Sequence, residues 1–257
     1  MRKPAAVLVA AVAVAACAAA STAAPGSATS GRFVVVFAPP KNQDEKFLVT
    51  LLKSARLPLV FSELSQHMVL PRNITISVQG GKAGPYYDPK TRTIVLNHPF
   101  SALALNVFHT EYPKITGYHL GELFTELEYF VLFHELGHAL VDQWNIPVLG
   151  KEEDAVDAFS TIFMTEIVHR GDFALAGADF FYYLANTGHL KEVDFADEHS
   201  LDKQRAYSIA CWVYGSDPVK YAGLKSVLPA ERRVRCPDEY RKLKKAWFGL
   251  LKPHLRA

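Results

Sequence analysis

The 257-residue sequence lacks an excess of charge of either sign. It has 28 Lys and Arg residues against 26 Asp and Glu residues, a formal net charge of +2, and without Arg2 and Lys3 near its start the two counts are equal. Proteins that bind nucleic acid over a broad surface usually show a basic excess. The one basic run, RRVRCPDEYRKLKKAW near the C-terminus, is typical of a solvated helix face, so we expect no nucleic-acid partner.

The apolar run at the N-terminus is too short and too rich in alanine to span a bilayer stably. In MRKPAAVLVAAVAVAACAAAS a basic start precedes this Ala/Val run, which is typical of a secretory signal peptide over residues 1–20. Residues 21–31 are small residues interrupted by Pro and Gly, a composition that predicts a flexible linker. We therefore expect an exported protein, either periplasmic, secreted or anchored at the cell envelope, with a single domain over residues 32–257.

Cysteine is also scarce, with three residues in the whole chain. Cys17 follows the residues VAA at the end of the apolar run, an arrangement similar to the lipobox of lipoproteins, whereas ordinary cleavage before Ser21 would remove it. Both outcomes remain open, and the first would anchor the protein to a membrane through a lipid on Cys17. Cys211 and Cys236 are the only pair in the folded part, and an oxidising compartment predicts a disulfide between them.

The pattern of apolar residues predicts an α+β fold, with a small N-terminal sheet packed on a mostly helical C-terminal part. RFVVVF, NITISVQ and TRTIVLN have the β-branched and aromatic composition of strands, and QDEKFLVTLLKSA has helical spacing. The turn-rich GGKAGPYYDPKT between the last two strands predicts that they form a hairpin or an edge pair. After Pro99 we expect helices over about 121–144, 151–169, 172–187 and 200–214, followed by a C-terminal pair.

The most informative motif is HELGH, residues 134–138. His134 and His138 are four residues apart, so on a helix their β-carbons share one face about 6 Å apart, and their imidazoles can bind one metal ion. Glu135 is rotated about a quarter turn away, which suits a general base for a water molecule activated by Zn²⁺. Gly137 costs about 1 kcal/mol relative to alanine inside a helix, and a close neighbour would explain it. Two core histidines in a chance match are the alternative interpretation.

A third ligand is expected just downstream, where Pro and Gly residues end the helix and a second helix starts near residue 151. Glu153 in its first turn can complete the metal site, and Asp157 one turn later can accept a hydrogen bond from the outward N–H of a ligating histidine. Glu152 is the competing ligand, but it has Val156 where the supporting carboxylate would be. The preference for acids in a first helical turn is an alternative explanation for part of this cluster.

HELGH followed by EEDAVDAF resembles the gluzincin arrangement of zinc peptidases, an HExxH motif with a downstream Glu. Over the whole mature chain, segments such as GPYYDPKTRTIVLN, DEHSLDKQRAYSIACWVYGSDP and RCPDEY resemble a family of exported bacterial proteins described as "putative metallopeptidases". The resemblance implies a zincin-like fold with HExxH on its active-site helix. It carries over His134, His138 and Glu153 as ligands of one Zn²⁺ ion and Glu135 as the base, and it implies no particular substrate.

Other zinc-peptidase classes fit less well. Metzincins need a third histidine where Trp144 stands and a glycine where Val141 stands, and the GxMEN signature of aminopeptidases is absent. The short stretch before the first strand leaves no room for the long pro-segment of secreted thermolysin-like enzymes. We therefore expect narrow access to the site, in place of an inhibitor domain, to restrain any activity.

The segment DEHSLDKQRAY supplies a candidate for electrophilic help to a tetrahedral intermediate. His199 is the candidate catalytic residue, with Asp197 two residues earlier to orient it, and Arg205 and Tyr207 lie nearby. A surface histidine with a purely local partner is an equally good interpretation. The predicted edge strand over residues 91–96 could pair with an extended substrate backbone, or it could be an ordinary sheet strand.

The leading hypothesis is a zinc metallopeptidase that cleaves peptide or protein substrates outside the cytoplasm. The first alternative is a catalytically idle, metal-binding envelope protein that retains a zincin fold. The second is a 2-His-1-carboxylate iron oxygenase, which fits the ligand types but not the placement of both histidines on one helix around a glutamate.

Overall fold

The computed structural model of the chain describes residues 31–81, 84–112, 118–188 and 190–256. The predicted signal peptide over residues 1–20, with Cys17, lies outside the described residues, and so does the predicted linker except for its last residue. Gly31 donates its N–H to the carbonyl oxygen of Leu70 at 2.8 Å and therefore belongs to the folded part.

A four-stranded sheet is formed by the N-terminal half of the chain. Its strands are β1 (Phe33–Phe37), β2 (Ile74–Gln79), β3 (Tyr86–Asp88) and β4 (Thr93–Asn97), in the order β1-β2-β4-β3. β1, β2 and β4 are parallel, with Phe33 opposite Ile74, and β3 runs antiparallel to β4. The period-two alternation of β-branched residues in β2 buries Ile74, Ile76 and Val78 completely.

The strand pairing differs from the sequence prediction in two respects. β2 and β4 are neighbours, but they are parallel, so the predicted hairpin between them is wrong. The turn-rich segment itself contains β3, and the tight connection from Asp88 to Thr93 makes β3 and β4 the hairpin. Because β4 has a neighbour on each side, residues 91–96 are not a sheet edge, and the predicted pairing of a substrate with that strand is wrong as well.

Helices make up most of the rest of the described chain. They are α1 (Gln43–Ser54), α2 (Leu57–His67), α3 (His98–Glu111), α4 (Tyr118–Trp144), α5 (Glu152–Glu166), α6 (Gly171–Thr187), α7 (Glu192–Ala196), α8 (Asp202–Ser216), α9 (Ala230–Arg233) and α10 (Cys236–Leu251). The four long helices predicted after Pro99 correspond to α4, α5, α6 and α8, and the C-terminal pair to α9 and α10. The α+β class is thus confirmed. Helices α2 and α3 were not predicted: each has a proline in its first turn, where proline starts a helix as readily as it ends one.

Helix α4 lies at the centre of the packing and contacts α3, α5, α6 and the sheet. Phe133 in this helix is fully buried: its ring stacks on Phe163 of α5 with the centroids 4.3 Å apart, and on Phe61 of α2 with the centroids 6.1 Å apart. Burying such a side chain contributes roughly 2–3 kcal/mol. Aromatic contacts with two other helices therefore fix the backbone of α4 next to His134.

The predicted disulfide joins Cys211 of α8 to Cys236 of α10, across a sequence separation of 25 residues. The chain-entropy model assigns a loop of that length about 3 kcal/mol of stabilisation. Disulfides persist in oxidising compartments, so this bond is consistent with export. Within the described ranges no helix combines the length and the apolarity needed to cross a membrane.

The basic C-terminal run covers the end of α9, the turn after it and the start of α10, and its charged side chains are either half-buried or exposed, as at Arg235, Arg241, Lys242 and Lys245. Arg232 lies 2.7 Å from Glu239, and Lys244 lies 2.6 Å from Glu166 of α5. These pairings within the chain are consistent with a solvated helix face.

One ionisable side chain of α4 is buried without a charged partner. Glu128 is 1% exposed, and neither of its carboxylate oxygens has a hydrogen-bond partner among the described residues. The hydroxyl of Ser101 on α3 faces it from just outside hydrogen-bonding geometry. Burial raises the pKa of Glu128 to about 8, and Ser101 lowers it only in part, so the folded protein holds this carboxyl group in its neutral form at neutral pH.

We expect Glu128→Gln to stabilise the protein increasingly as the pH rises from about 5 to about 8. The pKa of this carboxyl group rises from 4.5 to about 8 on folding, so the folded state holds an extra proton between these values and wild-type stability falls across that window. The glutamine side chain of the variant does not titrate, so the stability of the variant lacks this pH dependence. The difference in free energy of unfolding between variant and wild type should therefore grow by up to about 1.4 kcal/mol per pH unit.

Denaturant unfolding at the two ends of this pH range measures the difference. Glu111→Gln, the same substitution at an exposed position at the end of α3, is the matched control and should show no such growth. An equal effect of Glu128→Gln at both pH values would show that Glu128 is ionised in the folded protein.

Candidate metal centre

Helix α4 presents His134 and His138 on one face, with their ring centroids 5.1 Å apart. This follows from the four-residue spacing, which is close to one helical turn. His134 is buried and His138 is half-buried. Two imidazole groups therefore point into the same partly enclosed space, as the sequence predicts.

The third group comes from the start of α5. After α4 the chain turns through Gly150, whose φ of +115° lies in a region that favours glycine, and α5 begins at Glu152. Glu153 reaches back to α4, with its Oε2 3.1 Å from Nε2 of His134 and its Oε1 3.2 Å from Nε2 of His138. The ligand atoms of the three residues all lie within 4.8 Å of one another, so they could hold one metal ion.

The outward nitrogens of both histidines are also engaged. Nδ1 of His134 lies 2.8 Å from Oδ1 of Asp157, the partner that the sequence predicts. Nδ1 of His138 lies 2.7 Å from Oε1 of Glu152. Glu152, the competing ligand of the sequence analysis, is therefore not part of the three-residue group, because it contacts the nitrogen that faces away from Glu153. A carboxylate on each Nδ1 leaves each Nε2 free to act as a ligand.

Arg205 of α8 binds Asp157, the acid that contacts the outward nitrogen of His134. Its guanidinium group donates two hydrogen bonds to Asp157, from Nε to Oδ2 at 2.7 Å and from Nη2 to Oδ1 at 2.9 Å, and it stacks over the ring of Phe181 at 3.8 Å. Burial opposes ionisation of Asp157, but Arg205 and His134 outweigh it and lower the pKa of Asp157 to about 2. Arg205, which lies near His199 in the sequence, thus holds Asp157 ionised in the structure.

His199 lies in the connection between α7 and α8. Its Nε2 is 3.0 Å from Oε2 of Glu153, and its Nδ1 is 2.7 Å from Oδ1 of Asp197. The interpretation of His199 as a surface histidine with a purely local partner is therefore wrong, since Glu153 is far from it in the sequence. Lys151 fixes the connection, because its Nζ donates to the carbonyl oxygens of Asp197 and His199 at 3.0 and 2.9 Å. Nothing in the sequence pattern indicated this role for Lys151.

Glu135 borders a cleft of about 1490 Å³ that also reaches His134 and His199. Its side chain is 6% exposed, and it makes no hydrogen bond to any side chain in the part of the chain that the structure describes. Burial raises the pKa of Glu135, and the two histidines of the motif offset part of that rise. The carboxyl group is therefore buried at the border of the cleft and is not engaged by another side chain of the described residues.

The balance of charge in the centre fits a cation. Burial disfavours the charged form of His134, but its hydrogen bonds to Asp157 and Glu153 prevail and raise the pKa of His134 to about 9. Burial likewise opposes ionisation of Glu153, but the histidines around it hold its pKa well below the usual range. A bound divalent cation would supply the positive charge that protonated histidines otherwise provide beside Glu153 and Asp157. His134 and His138 would then both be neutral, as metal ligands must be. Two imidazole nitrogens and one carboxylate are a donor set typical of zinc.

The close approach of α4 and α5 depends on Gly137. A β-carbon built there would lie 2.8 Å from both Cβ and Cγ1 of Val156 and 3.1 Å from the ring of Phe159. Val156 is β-branched and fully buried, so it cannot turn aside. The sequence prediction of a close neighbour for this glycine is thus confirmed, and the neighbour Val156 lies in the sequence of α5 between Glu153 and Asp157, which both contact His134.

The family comparison gives one finding. A family model named DUF4344 and described as "Putative metallopeptidase" matches residues 37–251, a span that includes every residue of the centre. No curated protein and no solved structure matches the chain significantly.

We expect Gly137→Ala to weaken metal binding by at least about tenfold and to destabilise the fold by roughly 1–3 kcal/mol, because the added methyl group forces α5 away from α4. Gly121→Ala in the same helix is the control: its β-carbon would meet only Leu51, at 3.7 Å. That change should leave metal affinity unchanged and add up to about 1 kcal/mol of stability. Chelator competition and thermal unfolding measure both effects, and a Gly137→Ala protein as stable as the control variant would remove the steric argument.

We expect Asp157→Asn to lower metal affinity by roughly 10- to 100-fold, because the amide cannot replace the carboxylate that orients His134 and it leaves Arg205 without its ionic partner. Asp154→Asn serves as the control, since Asp154 in the same helix accepts a hydrogen bond from Ser200 and contacts neither histidine of α4. Chelator competition measures both affinities. Wild-type affinity in Asp157→Asn would show that Asp157 does not support the centre.

Proposed function

Since the chain belongs to the DUF4344 family, whose description is "Putative metallopeptidase", we propose that it is a zinc-dependent hydrolase that cleaves peptide bonds outside the cytoplasm. The observation that carries the proposal is the convergence of two imidazole nitrogens and one carboxylate, all within 4.8 Å of one another, beside the unengaged carboxyl group of Glu135. His134, His138 and Glu153 would hold one Zn²⁺ ion in a zincin-like, gluzincin-type arrangement. When bound, such an ion polarises a carbonyl group and lowers the pKa of water.

Glu135 acts as the general base. It accepts a proton from the attacking water molecule while the water oxygen bonds to the carbonyl carbon of the substrate, and it then delivers that proton to the amide nitrogen as the C–N bond breaks. Its position supports this role, because it borders the cleft and burial raises its pKa, which makes its carboxylate a stronger proton acceptor than that of an exposed glutamate. No external reductant, oxidant or further reactant is needed.

His199 donates a hydrogen bond to the oxygen that becomes negatively charged in the tetrahedral intermediate. With Asp197 on its Nδ1, His199 donates from Nε2 in its imidazolium form, which the Asp197 carboxylate favours. The contact between Nε2 and Glu153 at 3.0 Å places the ring at the border of the centre. Lys151 holds the backbone of this segment through its two carbonyl contacts. His199 is thus the second candidate catalytic residue, with Lys151 and Asp197 as positioning residues.

The cleft takes the substrate as an extended chain. β3 has a single neighbour among the described strands, and Gly84 and Pro85 just before it border the cleft. The free edge of β3 therefore takes the place of residues 91–96 as the strand to which a substrate backbone can add.

The protein acts outside the cytoplasm. The disulfide between Cys211 and Cys236 supports an oxidising location, and the predicted leader supports export. Cys17, as a lipid-bearing residue or as part of a removed signal peptide, lies outside the described residues, and both outcomes remain compatible with this proposal.

We expect Glu135→Gln to reduce cleavage of a broad peptide library by roughly 10²- to 10⁴-fold, the usual contribution of a general base, while the variant binds zinc as the wild type does. Metal analysis and cleavage by the zinc-loaded wild type and variant measure both properties. Zinc binding with no cleavage by the wild type would favour the idle envelope protein, and iron binding with oxygen-dependent turnover would favour the oxygenase. Loss of zinc in Glu135→Gln would show that Glu135 is a ligand rather than the base.

A further inference from the structure

The segment 190–202, here called the strap, connects α6 to α8 and contains α7. It exposes three large apolar side chains: Leu190 is 63%, Val193 64% and Phe195 60% exposed. Helix α7 buries none of its residues. Exposed apolar side chains beside a cleft extend the surface that a ligand can contact, and Leu190 of this group borders the cleft.

The strap is also strongly acidic, although the chain as a whole is nearly neutral. It contains five acidic residues and a single basic one, which is a net charge of −4 with His199 neutral. The acids are Glu192, Asp194, Asp197, Glu198 and Asp202. Within the described residues none of them forms an ion pair with a lysine or arginine, and Asp197 alone pairs with a histidine. Asp194 accepts a hydrogen bond from the backbone N–H of Lys191, whereas Glu192 and Glu198 have no side-chain partner among the described residues, so their negative charge is available to a partner.

The interior of the cleft has the opposite character. α3, α4 and α6 contribute Phe100, Leu103, Val131, Phe181 and Leu184 to its wall, all of them apolar. Apart from Glu135 of α4, the acids that border it come from the strap and the start of α5. The cleft thus offers apolar contact from three helices and negative charge from the strap beside them.

The basic residues of the cleft wall do not cancel this charge. Arg205 is neutralised by Asp157, and Arg232 is neutralised by Glu239 at 2.7 Å. Lys191 and Lys203 remain in the wall, against the acids that line it, which are Glu135, Asp154, Asp194, Asp197 and Asp202. A ligand that carries both apolar groups and positive charge is the one that complements the cleft and the strap together.

We propose that the cleft and the strap select cationic amphipathic peptides, in which lysine or arginine side chains alternate with large apolar ones. This inference rests on the proposed function and names its substrate class. The apolar side chains enter the cleft between α3, α4 and α6, and the cationic ones lie along the strap. A bilayer is the less favoured occupant, because the acidic strap would be repelled by anionic lipid headgroups.

The test measures binding separately from cleavage. Zinc-loaded Glu135→Gln protein is titrated into three fluorescent peptides of equal length: a Lys/Leu amphipathic peptide, the same peptide with Lys replaced by Glu, and the same peptide with Leu replaced by Ser. We expect the first to bind at least about tenfold tighter than either of the others, and its affinity to fall with added salt. Equal affinity for the three peptides would overturn the inference.

Two double variants of the strap test its part in selection. Glu192→Lys with Glu198→Lys should remove the preference for Lys over Glu peptides, and Val193→Ser with Phe195→Ser should weaken binding of the Lys/Leu peptide by roughly three- to tenfold. None of these four residues belongs to the proposed catalytic machinery. Unchanged binding in both double variants would contradict a role for the strap.

Matched control variants carry the same changes elsewhere on the surface. Asp44→Lys with Glu111→Lys repeats the charge change on α1 and α3, and Phe47→Ser with Leu59→Ser replaces side chains that are 58% and 60% exposed. Both should bind all three peptides as the parent does, and a loss in them equal to that of the strap variants would overturn the inference.

The outcome for the proposed function is read independently, from cleavage of the same peptides by zinc-loaded wild type. Selective binding without cleavage would contradict the peptidase and leave the binding preference in place. Cleavage that is equally fast for all three peptides would support the peptidase and overturn the proposed substrate class. Binding of the Glu135→Gln protein to anionic vesicles in preference to the Lys/Leu peptide would also overturn the proposed substrate class.

Discussion

The carboxylate of Glu153 is the group on which the rest of the centre depends. It lies within 3.0 to 3.2 Å of a nitrogen of three different histidines, which belong to α4 and to the connection before α8. Burying one negative charge among neutral side chains would be costly, so the surrounding histidines are required for Glu153 to remain ionised. Two separate constraints place it there: the turn between α4 and α5, which starts the second helix beside the first, and the absence of a side chain at Gly137, which lets the helices approach.

A shell of charged residues orients the groups that face Glu153. Asp157 and Glu152 contact the outward nitrogens of the two histidines of α4, and Asp197 contacts that of His199. Arg205 and Lys151 then fix Asp157 and the backbone around His199. Within this shell Asp157 and Arg205 are buried. Replacing a buried ion pair with apolar residues is often neutral or favourable for stability, so the presence of this pair is better explained by a function of the site than by the stability of the fold.

The part of the centre that could be predicted from the sequence is the part set by local helical geometry. The spacing of His134 and His138 and the repeat of one turn between Glu153 and Asp157 are properties of single helices, and the structure brings these residues together as expected. The contacts of Arg205 and Lys151 join positions 48 residues apart in the chain, and no periodicity indicates them. The sheet order was missed for a related reason: a turn-rich segment indicates that the chain reverses, but not which strand pairs with which, and the three-residue β3 is too short to show a pattern of its own.

Anomalous diffraction from crystals of the zinc-loaded protein, recorded on both sides of the zinc absorption edge, tests the central claim most directly. The account predicts a single strong peak at bonding distance from Nε2 of His134, Nε2 of His138 and a carboxylate oxygen of Glu153, with the Glu135 carboxylate nearby and unbonded. A peak bound to other residues, or a Glu153 side chain turned away from both histidines of α4, would contradict it.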